Sequence, residues 1–71
     1  MLIRYKDNVI NLDRVPMFFR FGKTEIRFHF EHDDKEDFEF DSEENRECAF
    51  HLILEAKLQD LKMIDLTEKG Y

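Results

Sequence analysis

The chain has no tryptophan, one cysteine, one proline and two glycines among its 71 residues. Each scarcity closes something off. A lone Cys48 rules out a disulfide within the chain, and no Cys/His spacing matches a zinc site. No catalytic, metal or nucleotide-binding motif stands out. So few glycines leave Asp and Asn to form the turns. The longest uninterrupted apolar runs are three residues, far short of a membrane-spanning helix. Met1-Leu2-Ile3-Arg4 runs straight into charged residues without a signal peptide's apolar core. With a single cysteine, this makes a reducing cytoplasm the expected compartment. Cations are in the minority: 11 Lys and Arg face 17 Asp and Glu, for a net charge of −6 and a pI near 4.9. That balance disfavours nucleic-acid backbones and anionic membranes as partners.

What the chain does have is phenylalanine, eight in all, within a composition that is 42% hydrophobic and 39% charged. This is the profile of one globular domain. A core of this size typically nets only roughly 3–5 kcal/mol. With no disulfide or metal to support it, oligomerisation is the expected support, as a homodimer or with a protein partner. No cofactor or small-molecule substrate is implied.

Alternation predicts the strands. Leu2 to Lys6 and Val9 to Leu12 flank Asp7-Asn8 as a hairpin turn, with Tyr5 opposite Ile10 and Ile3 opposite Leu12. Val15, Met17, Phe19 and Phe21 share a face of the next strand. The parity slips near Asp13-Arg14, where a bulge or corner is needed, and Pro16 favours an edge or a bend. Gly22-Lys23 reads as the second turn, placing Phe19 opposite Ile26, Met17 opposite Phe28 and Arg20 opposite Glu25. The turn Asp33-Asp34-Lys35 then folds Asp37–Asp41 back, with Phe28 against Phe40, Phe30 against Phe38, Arg27 against Asp41 and His29 against Glu39. In this reading Phe19, Phe28 and Phe40 lie on one apolar face.

A helix follows, capped by Asp41 or Ser42, with Glu43, Glu44 and Glu47 at the positive end of its dipole and good helix formers without Gly or Pro from Arg46 to about Lys62. Ala49, Leu52, Ile53 and Ala56 form the stripe for the sheet. Phe50, Leu54, Leu58 and Leu61 form a second stripe that lacks a partner. The expected architecture is α+β: an antiparallel four-stranded meander with one C-terminal helix packed on its apolar face. Residues 1–62 make the domain, and 63–71 are a C-terminal tail: a last helical turn, a short extra strand at Lys62–Leu66, or an arm reaching another subunit.

Several residue groups invite a chemical reading. His29, His32, Asp33 and Asp34 cluster in sequence, but a strand scatters them, and an acidic turn is ordinarily a solvated hairpin tip. Glu25, Glu31, Asp37, Glu39 and Asp41 supply carboxylates on one sheet face, yet acid/base catalysis also needs a cleft to separate their pKa values. Cys48 has His51 three residues on, where a small half-buried side chain is the simpler account. Phe18, Arg27 and His29 are expected to meet on the polar face, either as a stacking pair or as an interaction patch. The candidate interface is therefore Phe50, Leu54, Leu58, Leu61, Phe18 and Arg27.

Val9-Ile10-Asn11-Leu12-Asp13-Arg14-Val15, Ile26-Arg27-Phe28-His29-Phe30 and Phe38-Glu39-Phe40-Asp41-Ser42-Glu43-Glu44 together resemble short uncharacterised bacterial and phage proteins. In those, a hairpin precedes two strands and an Asp-Ser-Glu-Glu cap opens a helix. Arg14 stands where that pattern has a second Asn. The resemblance spans residues 1–58 and implies a fold, not an activity. In outline the sheet and helix are also similar to part of a pleckstrin-homology-like domain, without the basic lipid-binding loop. The function expected is a non-enzymatic protein-interaction module that self-associates. The alternative is an acidic decoy for a basic or DNA-binding surface, motivated by Glu31–Glu47. A small hydrolase or metal-binding protein is the residual possibility.

Overall fold

A computed structural model describes all residues from Met1 to Tyr71. The fold is α+β, with six short strands and one helix. The strands divide into two three-stranded sheets rather than one four-stranded meander. The first sheet has the order β2-β1-β6, from β1 (Leu2–Tyr5), β2 (Asn8–Asn11) and β6 (Met63–Asp65). The second is a meander of β3 (Met17–Phe21), β4 (Glu25–His29) and β5 (Lys35–Glu39).

The division happens at the parity slip. A 3-10 turn at Leu12–Arg14 takes the chain round a corner, with the Asn11 side chain accepting a hydrogen bond from the Asp13 amide at 3.0 Å. Pro16 follows and has no N–H to donate. The chain therefore leaves the first sheet and starts the second, while Leu12 and Val15 both stay buried.

All three hairpins are registered differently from the expectation. In the first, Ile3 pairs with Ile10 and Leu2 with Asn11, and the turn is Lys6-Asp7, with Lys6 at φ 55°. This two-residue shift preserves the faces, so Ile3, Tyr5, Ile10 and Leu12 all point inward. The third hairpin also shifts by an even number. Phe38 pairs with Ile26, Asp37 with Arg27 and Lys35 with His29, around a tight turn in which His32 and Asp33 both have positive φ.

The second hairpin shifts by one residue, and a one-residue slip turns a strand over. Its loop has three residues, Gly22 to Thr24, so Phe18 pairs with Phe28, Phe19 with Arg27 and Arg20 with Ile26. Gly22, at φ 59°, supplies the left-handed geometry that opens this loop. The inward row of β3 is thus Phe18 and Arg20. Met17, Phe19 and Phe21 face outward, opposite to Phe28. The single apolar face expected to hold Phe19, Phe28 and Phe40 together does not exist.

Helix α1 (Glu43–Leu58) is capped by Ser42, whose Oγ accepts from the Asn45 amide at 3.0 Å. It ends before Lys62: the amide of Gln59 still bonds the Glu55 carbonyl, and Asp60 then takes a positive φ. Ala49, Phe50, Ile53 and Ala56 are buried on it. They join Ile3, Tyr5, Ile10 and Leu12 from the first sheet, Ile26, Phe28, Phe38 and Phe40 from the second, and Ile64 and Leu66, in one core. Fully burying an aliphatic or aromatic side chain contributes roughly 1.5–3 kcal/mol. Tyr5 links the sheets, with its ring 5.4 Å from Phe38 and 4.6 Å from Phe40. Its single hydroxyl proton has two acceptors in reach, the carbonyls of Tyr71 at 2.8 Å and Glu39 at 3.1 Å.

Candidate functional site

The six candidate interface residues do not form one surface. Phe18 and Phe50 face each other across the sheet–helix junction, centroids 5.6 Å apart, and Phe18 also stacks on Phe28 at 5.8 Å. Phe50 is buried, so it belongs to the core rather than to an unpartnered stripe. Arg27 lies on the opposite side of the sheet from Phe18. The two do not meet. Leu54, Leu58 and Leu61 remain exposed near the helix C-terminus, Leu58 at 87%.

The turned-over strand produces a surface that alternation alone assigns to the core. On the outer face of the second sheet, Met17, Phe19 and Phe21 run along β3. Met17 is 52% and Phe21 36% exposed, and Phe19 is half-buried. Each has a polar neighbour on β4. The Arg27 guanidinium lies 3.6 Å from the Phe21 ring centroid, and Phe19 and His29 are 5.4 Å apart, centroid to centroid. Arg27 is held flat by two donated hydrogen bonds to Asp37, at 2.8 and 3.0 Å. Those bonds hold the Asp37 carboxyl below the usual carboxylate range. An aromatic row is thereby held on a fixed polar lattice.

β3 is also an edge. It pairs with β4 on one side only, and no other hydrogen bond reaches the backbone of Met17–Phe21. Its inward side is anchored to the helix. Arg20 donates from Nε to both Glu47 oxygens, at 3.0 and 2.7 Å, and its guanidinium covers the Phe50 ring at 4.3 Å. This bond lowers the Glu47 pKa. Arg46, buried one residue earlier, donates from Nη1 to the carbonyls of Glu25 at 3.0 Å and Gly22 at 3.3 Å. Its Nε sits 2.8 Å from Glu47 Oε2, where charge attracts it, though off the line of a hydrogen bond. Two arginines and Glu47 thus clamp the β3–β4 hairpin to the helix.

The other groups lie apart. Glu25, Asp37 and Glu39 share the outer sheet face, Glu25 directly opposite Glu39, while Glu31 and Asp41 lie outside the strands. Asp37 is engaged by Arg27. His29 is on β4, and His32, Asp33 and Asp34 are in or beside the hairpin turn. No three His, Cys, Asp or Glu side chains converge as metal ligands would. An open, largely polar depression beside that turn is lined by Arg14, Phe30, His32 and Lys35, among others. Cys48 and His51 are both exposed and line a shallow depression with Glu44, Glu47, Leu52, Glu55 and Tyr71, and no hydrogen bond joins the pair. No helix is long and apolar enough to cross a membrane.

Compared with protein-family models, with curated proteins and with solved structures, the chain matches none.

Proposed function

We propose that this chain is a non-enzymatic protein-interaction module that self-associates, and that the contact surface is the edge strand β3 with its outward row Met17, Phe19 and Phe21. One observation carries the reading. The most apolar strand of the second sheet leaves its backbone groups unpaired on one side and carries, on its outward face, the exposed Met17 and Phe21 with half-buried Phe19 between them. Natural edge strands are normally protected by charge, proline or cover, and contiguous exposed apolar surface marks interaction sites. Leu54, Leu58 and Leu61 add a second apolar surface at the helix end. The lone free cysteine suits a reducing cytoplasm.

Light scattering behind size exclusion tests this. The native chain should move from 8.7 kDa toward twice that mass as concentration rises through the micromolar range. Phe19→Lys, which puts a charge on the outward row, should stay monomeric. A native chain that remains monomeric at high micromolar concentration removes the proposal.

A second reading, an acidic decoy, draws on the opposite flank. Glu31, Asp33, Asp34, Glu36, Glu39, Asp41, Glu43 and Glu44 are all exposed there. Binding to a basic partner should then weaken steeply with salt. Salt-insensitive binding excludes it.

A further inference from the structure

From the symmetry of β3 we infer that the partner is a second copy of this chain, joined by antiparallel β3–β3 pairing with Phe19 on the two-fold axis. This inference rests on the self-association reading and specifies its geometry. The outward row Met17, Phe19, Phe21 reads as apolar side chains in either direction. Antiparallel pairing centred on Phe19 sets each Met17 opposite the other copy's Phe21 and the two Phe19 rings opposite each other. A two-fold contact requires this kind of self-complementarity. On the inward row, Phe18 and Arg20 exchange places, so no arginine stands directly opposite another.

Parallel pairing would instead put Arg20 directly against Arg20, and like charges directly opposite destabilise a sheet. The charge distribution agrees. The arginines beside the contact are already neutralised within each copy, Arg20 by Glu47 and Arg27 by Asp37, so the two copies meet with little uncompensated like charge. Pairing β3 with the far edge β5 would leave a free β3 and a free β5 at the ends and build open filaments. Pairing β3 with itself closes at two copies and yields one continuous six-stranded sheet.

Cysteine cross-linking in the full chain reads the register. Cys48 is exposed, so Cys48→Ser removes the background thiol. Met17→Cys and Phe21→Cys are then made separately, at positions whose exposure spares the core. Directly opposed residues have Cα atoms about 4.5–5.5 Å apart, within disulfide reach. Two copies of position 17 would be about 14 Å apart, four residues along the strand.

An equimolar mixture of the two variants should therefore oxidise to a covalent dimer at least tenfold faster than either alone. Fast self-cross-linking of Met17→Cys alone overturns the antiparallel register. So does an equal rate in the mixture and in the separate variants. If the native chain scatters as a dimer, self-association survives that result; if it scatters as a monomer, both the register and the underlying reading fail.

Discussion

The two outer strands of the second sheet have the same length and each pairs with β4 on one side, yet their compositions are opposite. β5 is Lys-Glu-Asp-Phe-Glu, exposed everywhere except at Phe38, which is 1% accessible. β3 is Met-Phe-Phe-Arg-Phe, with apolar side chains on both faces. Charge protects β5 from pairing with other chains, and a single ring holds it to the core. β3 lacks that protection. It is held down through Phe18 and Arg20, and its apolar surplus faces outward. An exposed edge is therefore not in itself an interaction site: the side chains on it decide whether another strand is repelled or recruited.

The largest effect that would sharpen this contrast is at the single anchor of β5. Phe38→Ala should cost about 3–5 kcal/mol, about all that a core of this size nets, and leave the chain largely unfolded by circular dichroism, whereas Phe21→Ala on β3 should cost less than about 1 kcal/mol in urea unfolding. Equal losses would mean that the outward row of β3 is part of the folded core after all.

A smaller effect separates the edges by pH. Asp37 on β5 ionises below its ordinary range because Arg27 donates to it. Its contribution is therefore complete above the unfolded carboxylate value, near pH 4, and fades as the pH falls through the lowered folded value. Being partly exposed, the pair contributes at most about 1 kcal/mol. Asp37→Asn should flatten the acid limb of a stability–pH curve and leave neutral stability lower by that amount. An unchanged acid limb would show that the pair is not formed in solution.

The smallest effect concerns Glu39. It stands directly opposite Glu25, and like charges in that arrangement repel. Glu39→Lys should raise stability by a few tenths of a kcal/mol, read as a small rise in melting temperature, while keeping the edge charged. An unchanged melting temperature would mean that the two carboxylates are already too well solvated to interact.

How much of the fold is legible in the sequence depends on how a register shift propagates along a strand. The strands of both outer hairpins and the inward rings Phe28, Phe38 and Phe40 followed from alternation, because even register shifts leave the faces intact. Ser42 was one of two expected caps, for the reason Ser suits that position generally. The outward row of β3 was hidden. Three apolar residues at alternate positions look like a core face, and only the length of the Gly22–Thr24 loop reverses them. Arg20 was the available clue. On the outward side it would have left Glu47 and the Phe50 ring uncovered, but those partners lie in the helix, some thirty residues on. The corner at Leu12–Arg14 was marked by the parity slip, but nothing local distinguishes a bulge within one sheet from a crossing into another. Lys6 in the left-handed region is equally opaque, since neither its charge nor its length favours that geometry.

The placement of β6 beside β1 has a consequence for the order of folding. Leu2 pairs with Met63 and Ile3 with Ile64, in parallel, and the Leu66 amide bonds the Arg4 carbonyl at 2.8 Å. The meander can form early, because its pairings are between neighbours in the chain. Strand β1 finds β2 close by, but its other side waits for a strand some sixty residues away. The first sheet is thus among the last parts to settle, with one edge of β1 open to hydrogen bonding until β6 docks.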